Sequence, residues 1–138
     1  MKRILSLLLI AITMLISVPT TAQTMRNDKG TQIGKVESDG TIRNANNSRI
    51  GKIEKDGTIR NASNSRVGVI EKDGTIRNAN NSRVGKVESD GTVRNANNSR
   101  IGKVESDGTI LDDMNRAIGK ASGIDKRYAA AIFFMNLL

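Results

Sequence analysis

Hydrophobic residues are distributed unevenly along this 138-residue chain. A mainly apolar run occupies residues 4–18, and beyond it single Ile and Val residues stand among polar ones until an apolar tail begins at Tyr128. In the central part these isolated apolar residues return with a period of 17 residues. The pattern predicts a leader, a repetitive domain of short strands, and a different kind of segment at the C-terminal end.

The leader has the three parts of a secretory signal peptide over residues 1–22. Two basic residues precede the apolar run, and a proline with small residues follows it, which places the expected cleavage between Ala22 and Gln23. As a helix the run would cover about 22 Å, short of the roughly 30 Å of a bilayer core. We therefore expect no membrane span after its removal. Because the chain has no Cys to carry a lipid anchor, we expect a secreted or periplasmic bacterial protein.

A 17-residue repeat accounts for most of the remaining sequence. We assign residues 23–123 to this repeat domain and residues 124–138 to an apolar segment packed on it. The complete copies occupy 26–42, 43–59, 60–76, 77–93 and 94–110, and a degenerate sixth start covers 111–123.

Each unit contains one sharp turn of the type Glu-Ser-Asp-Gly-Thr, as at residues 37–41. The Asp-Gly pair favours a hairpin, with either a two-residue or a three-residue loop. The three-residue loop would place Val36 opposite Ile42, an apolar β-branched pair that stabilises a hairpin. It would also place Lys35 opposite Arg43, at a mild cost. We therefore predict the three-residue loop.

A second connection, rich in Asn and Ser, separates consecutive hairpins, as at residues 44–48. The apolar positions in each unit are so few that a single hairpin could not be stable alone. Neighbouring copies must pool their Ile and Val residues into one core. The spacing of Ile50 and Ile53 breaks strict alternation, so Gly51 is a candidate for a β-bulge or a close backbone approach.

Five hairpins can stack as an open solenoid or close into a ring, and closure removes exposed strand edges. The core motif IGK(V/I)E(S/K)DGT(I/V), the Asn-rich spacer and the terminal GIDKRYAAAIFFMNLL resemble the bacterial five-fold beta-flower family. Val69 departs from the motif by replacing its Lys. The resemblance implies small secreted proteins with hairpin petals and no established activity. We predict an all-β fold of five short hairpins closed into a flower, with a C-terminal apolar helix or plug.

The last residues differ in composition from the repeats. Asp125 can act as an N-cap, and residues 128–138 are almost wholly apolar. An alanine run favours a helix, whereas Ile132 and the two residues after it fit a buried strand equally well. We expect this segment to complete the core of the petals. The alternative is a tail that binds a membrane interface or a partner.

Composition removes several kinds of chemistry. The chain has no Cys, His or Trp, so it offers no disulfides, no Cys or His metal site and no nucleophile activated by His. The repeated acids, such as Glu54 and Asp56, lack the spacing of a calcium loop and fit turn chemistry better. Near-equivalent acids also provide no distinct catalytic pair. We expect no enzyme activity, no cofactor and no metal.

The charge balance of +8 directs attention to the arginines. In a ring, two series would each form a belt able to bind phosphate, sulfate or anionic glycans, although a solvated face is the alternative. Few aromatic residues and expected export disfavour nucleic acid. We expect an exported, non-enzymatic structural or binding module of the envelope, and as the alternative an anion or glycan binder. The partner is undetermined between an anionic glycan and an envelope protein. The first arginine series is Arg43, Arg60, Arg77 and Arg94, and the second is Arg49, Arg66, Arg83 and Arg100.

Overall fold

The computed structural model describes residues 23–138 as twelve short strands and one helix, α1, over Lys126–Phe134. Within these residues no helix is long and apolar enough to cross a membrane. The strands are β1 Gln23–Asn27, β2 Gln32–Val36, β3 Thr41–Asn44, β4 Arg49–Ile53, β5 Thr58–Asn61, β6 Arg66–Ile70, β7 Thr75–Asn78, β8 Arg83–Val87, β9 Thr92–Asn95, β10 Arg100–Val104, β11 Thr109–Asp112 and β12 Ala117–Ala121.

Every strand pairs antiparallel with its neighbours in sequence, and β1 pairs with β12, so the sheet closes into a barrel. The predicted all-β closed architecture is confirmed. The five Asp-Gly hairpins are β2–β3, β4–β5, β6–β7, β8–β9 and β10–β11. A sixth pair, made by the first and last strands, completes the ring. The repeats therefore need both flanking segments to close.

The predicted register of the Asp-Gly hairpins is confirmed. Val36 lies opposite Ile42 and Lys35 opposite Arg43. The Glu37 N–H donates to the Thr41 carbonyl at 2.8 Å, and the Gly40 N–H donates to the Glu37 carbonyl at 2.9 Å. Gly40 has φ +91°, which a residue with a side chain rarely adopts. This geometry is a three-residue loop with glycine in the left-handed position.

The Asn-rich connections use the same three-residue geometry with Asn in place of Gly. Asn47 has φ 67°, and its N–H donates to the Asn44 carbonyl at 3.0 Å. The Asn44 Oδ1 accepts the N–H groups of Asn46 and Ser48, each at 3.0 Å. Asn tolerates the left-handed region better than most residues because its short side chain bonds nearby backbone. The twelve strands are therefore joined by tight turns at both ends of the barrel.

Both features predicted at Gly51 are present. Ile42 pairs with Gly51 and Arg43 pairs with Arg49, which leaves Ile50 as the extra residue of a bulge. A Cβ built on Gly51 would lie 2.6 Å from the carbonyl oxygen of Arg60 on the neighbouring strand. The bulge brings Ile50 against the core from the Asn-loop side.

The C-terminal segment lies inside the barrel, and the predicted helix or plug is confirmed. The Asp125 side chain caps α1 by accepting the Arg127 N–H at 2.8 Å. Ala129, Ala130 and Ala131 are buried among the inward-facing Ile and Val residues of the strands.

A ring of glycines in the even-numbered strands accommodates the end of the plug. Each of these glycines faces a different apolar side chain, and a Cβ there would lie 3.2 Å or less from it. The pairs are Gly34 with Met25, Gly51 with Leu138, Gly68 with Leu137, Gly85 with Met135, Gly102 with Phe134 and Gly119 with Phe133. Five of these six glycines therefore make room for residues of the C-terminal segment, and Gly34 makes room for Met25 of β1.

Candidate anion-binding surface

The Arg43 series lies in the odd-numbered strands, and each of its members is ion-paired within its own hairpin. The Arg60 Nε donates to Glu54 Oε1 at 2.6 Å, and Arg43 bonds Glu37 in the same way. The Nη1 of each arginine also donates to a carbonyl of the following Asn loop, as from Arg60 to Asn64 at 3.2 Å. These pairs place a carboxylate beside each arginine of the first of the two predicted belts.

The Arg49 series lies in the even-numbered strands, beside the Asn loops. Arg49 Nη1 donates to the Ala62 carbonyl at 3.2 Å, and Arg100 donates to the Asp113 carbonyl at 3.1 Å and to Asn115 Oδ1 at 2.7 Å. All of these acceptors are neutral. Among the described residues no member of this series forms an ion pair with an acid. Their charges therefore lie uncompensated at one end of the barrel.

The register brings the two series together in pairs. Arg43 lies directly opposite Arg49 on the adjacent strand, and Lys35 lies opposite Arg43 on the other side. Like charges in directly opposed positions destabilise a sheet, and Glu37 offsets one charge of the three. The same opposition joins Arg60 with Arg66, Arg77 with Arg83, and Arg94 with Arg100. A bound anion would relieve this repulsion.

The repeated acids are engaged in the turns. Asp56 Oδ1 accepts the Thr58 N–H at 2.9 Å, and this hydrogen bond is the main cause that lowers the pKa of Asp56. The same backbone hydrogen bond from the following Thr lowers the pKa of Asp39, Asp73, Asp90 and Asp107. Within residues 23–138 no group of three or more acidic side chains could hold a metal ion.

A cleft of about 790 Å³ lies at the opposite end of the barrel, beside the N-terminus of α1. It is lined by the Asp-Gly turns and by Lys126, whose Nζ donates to the Ser89 carbonyl. Asp125 and Arg127 form an ion pair at 2.8 Å, and the side-chain hydrogen bond from Arg127 is the main cause that lowers the pKa of Asp125. Sequence reasoning missed this cleft because it depends on where the plug enters the barrel.

Only one of the two residues at the expected cleavage site belongs to the described part of the chain. Ala22 lies outside the described residues, whereas Gln23 is the first residue of β1 and pairs with Val36. Cleavage between them would leave all twelve strands intact.

Comparison with known proteins supports one family. The model of the family described as "5-fold beta-flower protein" matches residues 22–137. Searches of the curated proteins and of the solved structures found no match.

Proposed function

The chain belongs to the 5-fold beta-flower family, and from that premise we propose that it is an exported, non-catalytic binding module of the bacterial envelope. The observation that carries the proposal is the filled lumen. The Ala residues of α1 occupy the centre of the barrel and the apolar tail meets the glycine ring. A substrate would have to bind outside the barrel or in the cleft beside the N-terminus of α1, where the turn aspartates and Asp125 all have lowered pKa values. General acid catalysis by a carboxyl group requires the opposite shift.

Export can be tested through the first strand. We expect the protein recovered from the periplasm or culture medium to begin at Gln23, which intact-mass measurement would establish. Cleavage inside β1 would remove residues that pair with β2 and β12. An uncleaved chain confined to the cytosol would contradict the export part of the proposal.

A second, more specific candidate is binding of an anionic glycan by the Arg49 series. It is favoured by the lack of acidic partners for these arginines and by their position opposite the Arg43 series. Guanidinium groups bind sulfate and carboxylate oxygens through charge-assisted hydrogen bonds. Four equivalent groups around a ring suit a repetitive polymer better than a single small anion.

The test compares two variants that lose the same number of charges. One carries Arg49→Gln, Arg66→Gln, Arg83→Gln and Arg100→Gln, and the other carries Arg43→Gln, Arg60→Gln, Arg77→Gln and Arg94→Gln. We expect the first variant to elute from a heparin column at clearly lower salt than the second. Equal losses would indicate net charge alone. No loss in either would reject glycan binding by the arginines.

A further inference from the structure

The Asn-loop end of the barrel carries a group of exposed and half-buried apolar side chains, which we name the apolar end. Its centre is formed by the last residues of the plug, of which Leu138 is 43% exposed. The bulge residues surround this centre, one on each even-numbered strand, and Ile33 and Ile118 are 40% and 37% exposed. The apolar end comprises Ile33, Ile50, Val67, Val84, Ile101 and Ile118 around Phe133, Phe134, Met135, Leu137 and Leu138.

Three of these residues, Ile33, Ile118 and Leu138, are exposed and the other eight are half-buried against the core. Large apolar side chains grouped at a surface are typical of interaction sites. The core of the barrel is formed without the exposed residues, because Ile42, Ile59 and their equivalents make a fully buried layer nearer the Asp-Gly turns. The apolar end is therefore a candidate interaction surface in its own right.

The charges around the apolar end indicate its partner. The four arginines of the Arg49 series lie at this end without acidic partners. The acids of the described loops here are Asp28, Asp112 and Asp113, and Asp112 is paired with Arg116. The opposite end carries the five turn aspartates. Lys55, Lys72, Lys126 and Arg127 lie among these aspartates. The barrel thus has a positive apolar end and a far end of mixed charge, and this asymmetry would orient it in the field of a negative surface.

We propose that the apolar end docks on the surface of an anionic lipid bilayer. The plug residues and the surrounding Ile and Val side chains enter the headgroup region, and the Arg49 series contacts lipid phosphates. A second copy of the chain is the less suitable occupant, because a face-to-face dimer would bring two rings of unpaired arginines together. The proposal shares these arginines with the glycan-binding function above, but the apolar residues belong to it alone.

The experiment measures co-sedimentation of residues 23–138 with two kinds of vesicle, one of phosphatidylcholine alone and one mixed with phosphatidylglycerol. We expect binding to the mixed vesicles and little to the neutral ones. A variant with Ile33→Asn, Ile118→Asn and Leu138→Asn should bind the mixed vesicles at least about tenfold more weakly. Its retention on heparin should be unchanged, since its arginines are intact. The two proposals can therefore fail independently.

A charge control uses four lysines from the middle of the barrel. Removing the Arg49 series should reduce vesicle binding far more than the changes Lys35→Gln, Lys52→Gln, Lys86→Gln and Lys103→Gln. A Leu138→Trp variant adds a direct reading, because the chain has no other Trp. We expect its emission to shift to the blue on the mixed vesicles and to be quenched by brominated lipid.

Three outcomes would overturn the proposal. The first is equal binding of wild type and the apolar variant, with both remaining folded by circular dichroism. The second is emission from Leu138→Trp that vesicles do not change. The third is a concentration-dependent dimer that the apolar variant abolishes, without vesicle binding, which would assign the surface to self-association.

Discussion

The contact between Gly102 and Phe134 allows the seating of the plug to be measured. A Cβ on Gly102 would lie 2.5 Å from the Cζ and 2.6 Å from the Cε1 of the Phe134 ring, and closer still to the Leu111 carbonyl oxygen. Real Cβ contacts are not this short, so Gly102→Ala must displace the ring or the neighbouring strand. The backbone of Gly102 is outside the left-handed region, so the penalty is steric.

The expected magnitude follows from core overpacking. One extra methyl group in a packed interior costs about 1–3 kcal/mol of stability. Because the new methyl group meets both the ring and a backbone carbonyl, we expect Gly102→Ala to lower the free energy of unfolding by about 3 kcal/mol. For a domain of this size that corresponds to a decrease in Tm of about 10–15 °C. Phe134→Leu alone should cost about 1 kcal/mol, because the half-buried ring is replaced by a somewhat smaller apolar group.

The two changes should be coupled. In the double variant the shorter Leu side chain removes one of the two obstructions, so the combined loss should be about 1 kcal/mol smaller than the sum of the single losses. The matched control pairs Phe134→Leu with Gly34→Ala, since Gly34 faces Met25. That pair should be additive within about 0.5 kcal/mol.

The assay is denaturant unfolding of residues 23–138, followed by circular dichroism, for all single and double variants. Coupling at Gly102 with additivity at Gly34 is the expected result. If the Gly102 cycle were as additive as the Gly34 cycle, the side chain of Phe134 would not be seated against the glycine ring, and the reasoning for the filled lumen would be refuted.

Two further predictions follow from the plug and the turns. Residues 23–123 alone should lose the cooperative transition that calorimetry detects for residues 23–138, because the inward Ile and Val layer would face an empty lumen; an unchanged midpoint would contradict this. The lowered pKa values of the turn aspartates mean that their stabilisation is present above about pH 4 and is lost as the pH falls through the folded-state values. A variant with Asn at Asp39, Asp56, Asp73, Asp90 and Asp107 keeps an acceptor at each turn, so its Tm should depend less steeply on pH in this range than that of wild type. Parallel acid titrations of the two Tm values would argue against the turn hydrogen bonds as the cause.

The repeat made the local structure predictable, because each turn depends on residues close together in sequence. The Asp-Gly loop and the opposition of Val36 and Ile42 follow from the residues that pair within one hairpin. From that register the ion pair of Glu37 with Arg43 could also have been inferred, since the two residues flank the same loop. The opposition of Arg43 and Arg49 required knowledge of the bulge at Ile50, which shifts the register by one residue.

The long-range contacts could not be read in the same way. The sixth strand pair joins β1 to β12, which keep most of the TIRN and IGK patterns and pair in the register of the hairpins. No turn connects these two strands, because they lie at opposite ends of the repeat domain, so the local turn signals do not mark them as partners. The tail left helix and strand open because Ala129 and its neighbours favour one while Ile132 and Phe133 fit the other. In the structure the alanines lie on the buried part of a helix, and the larger Phe, Met and Leu side chains that follow lie against the glycines of the even-numbered strands.

The C-terminal plug also restricts the number of hairpins that can surround it. Near-identical units in tandem are prone to gain or loss by recombination, and nothing within a single hairpin records how many others surround it. The tail does record it, because Phe133, Phe134, Met135, Leu137 and Leu138 each meet a glycine on a different strand. A barrel with one more hairpin would have a wider lumen and a glycine with no side chain opposite it. A barrel with one hairpin fewer would leave one of these side chains without a glycine to pack against. The least repetitive part of the chain thus fixes the copy number of the most repetitive part.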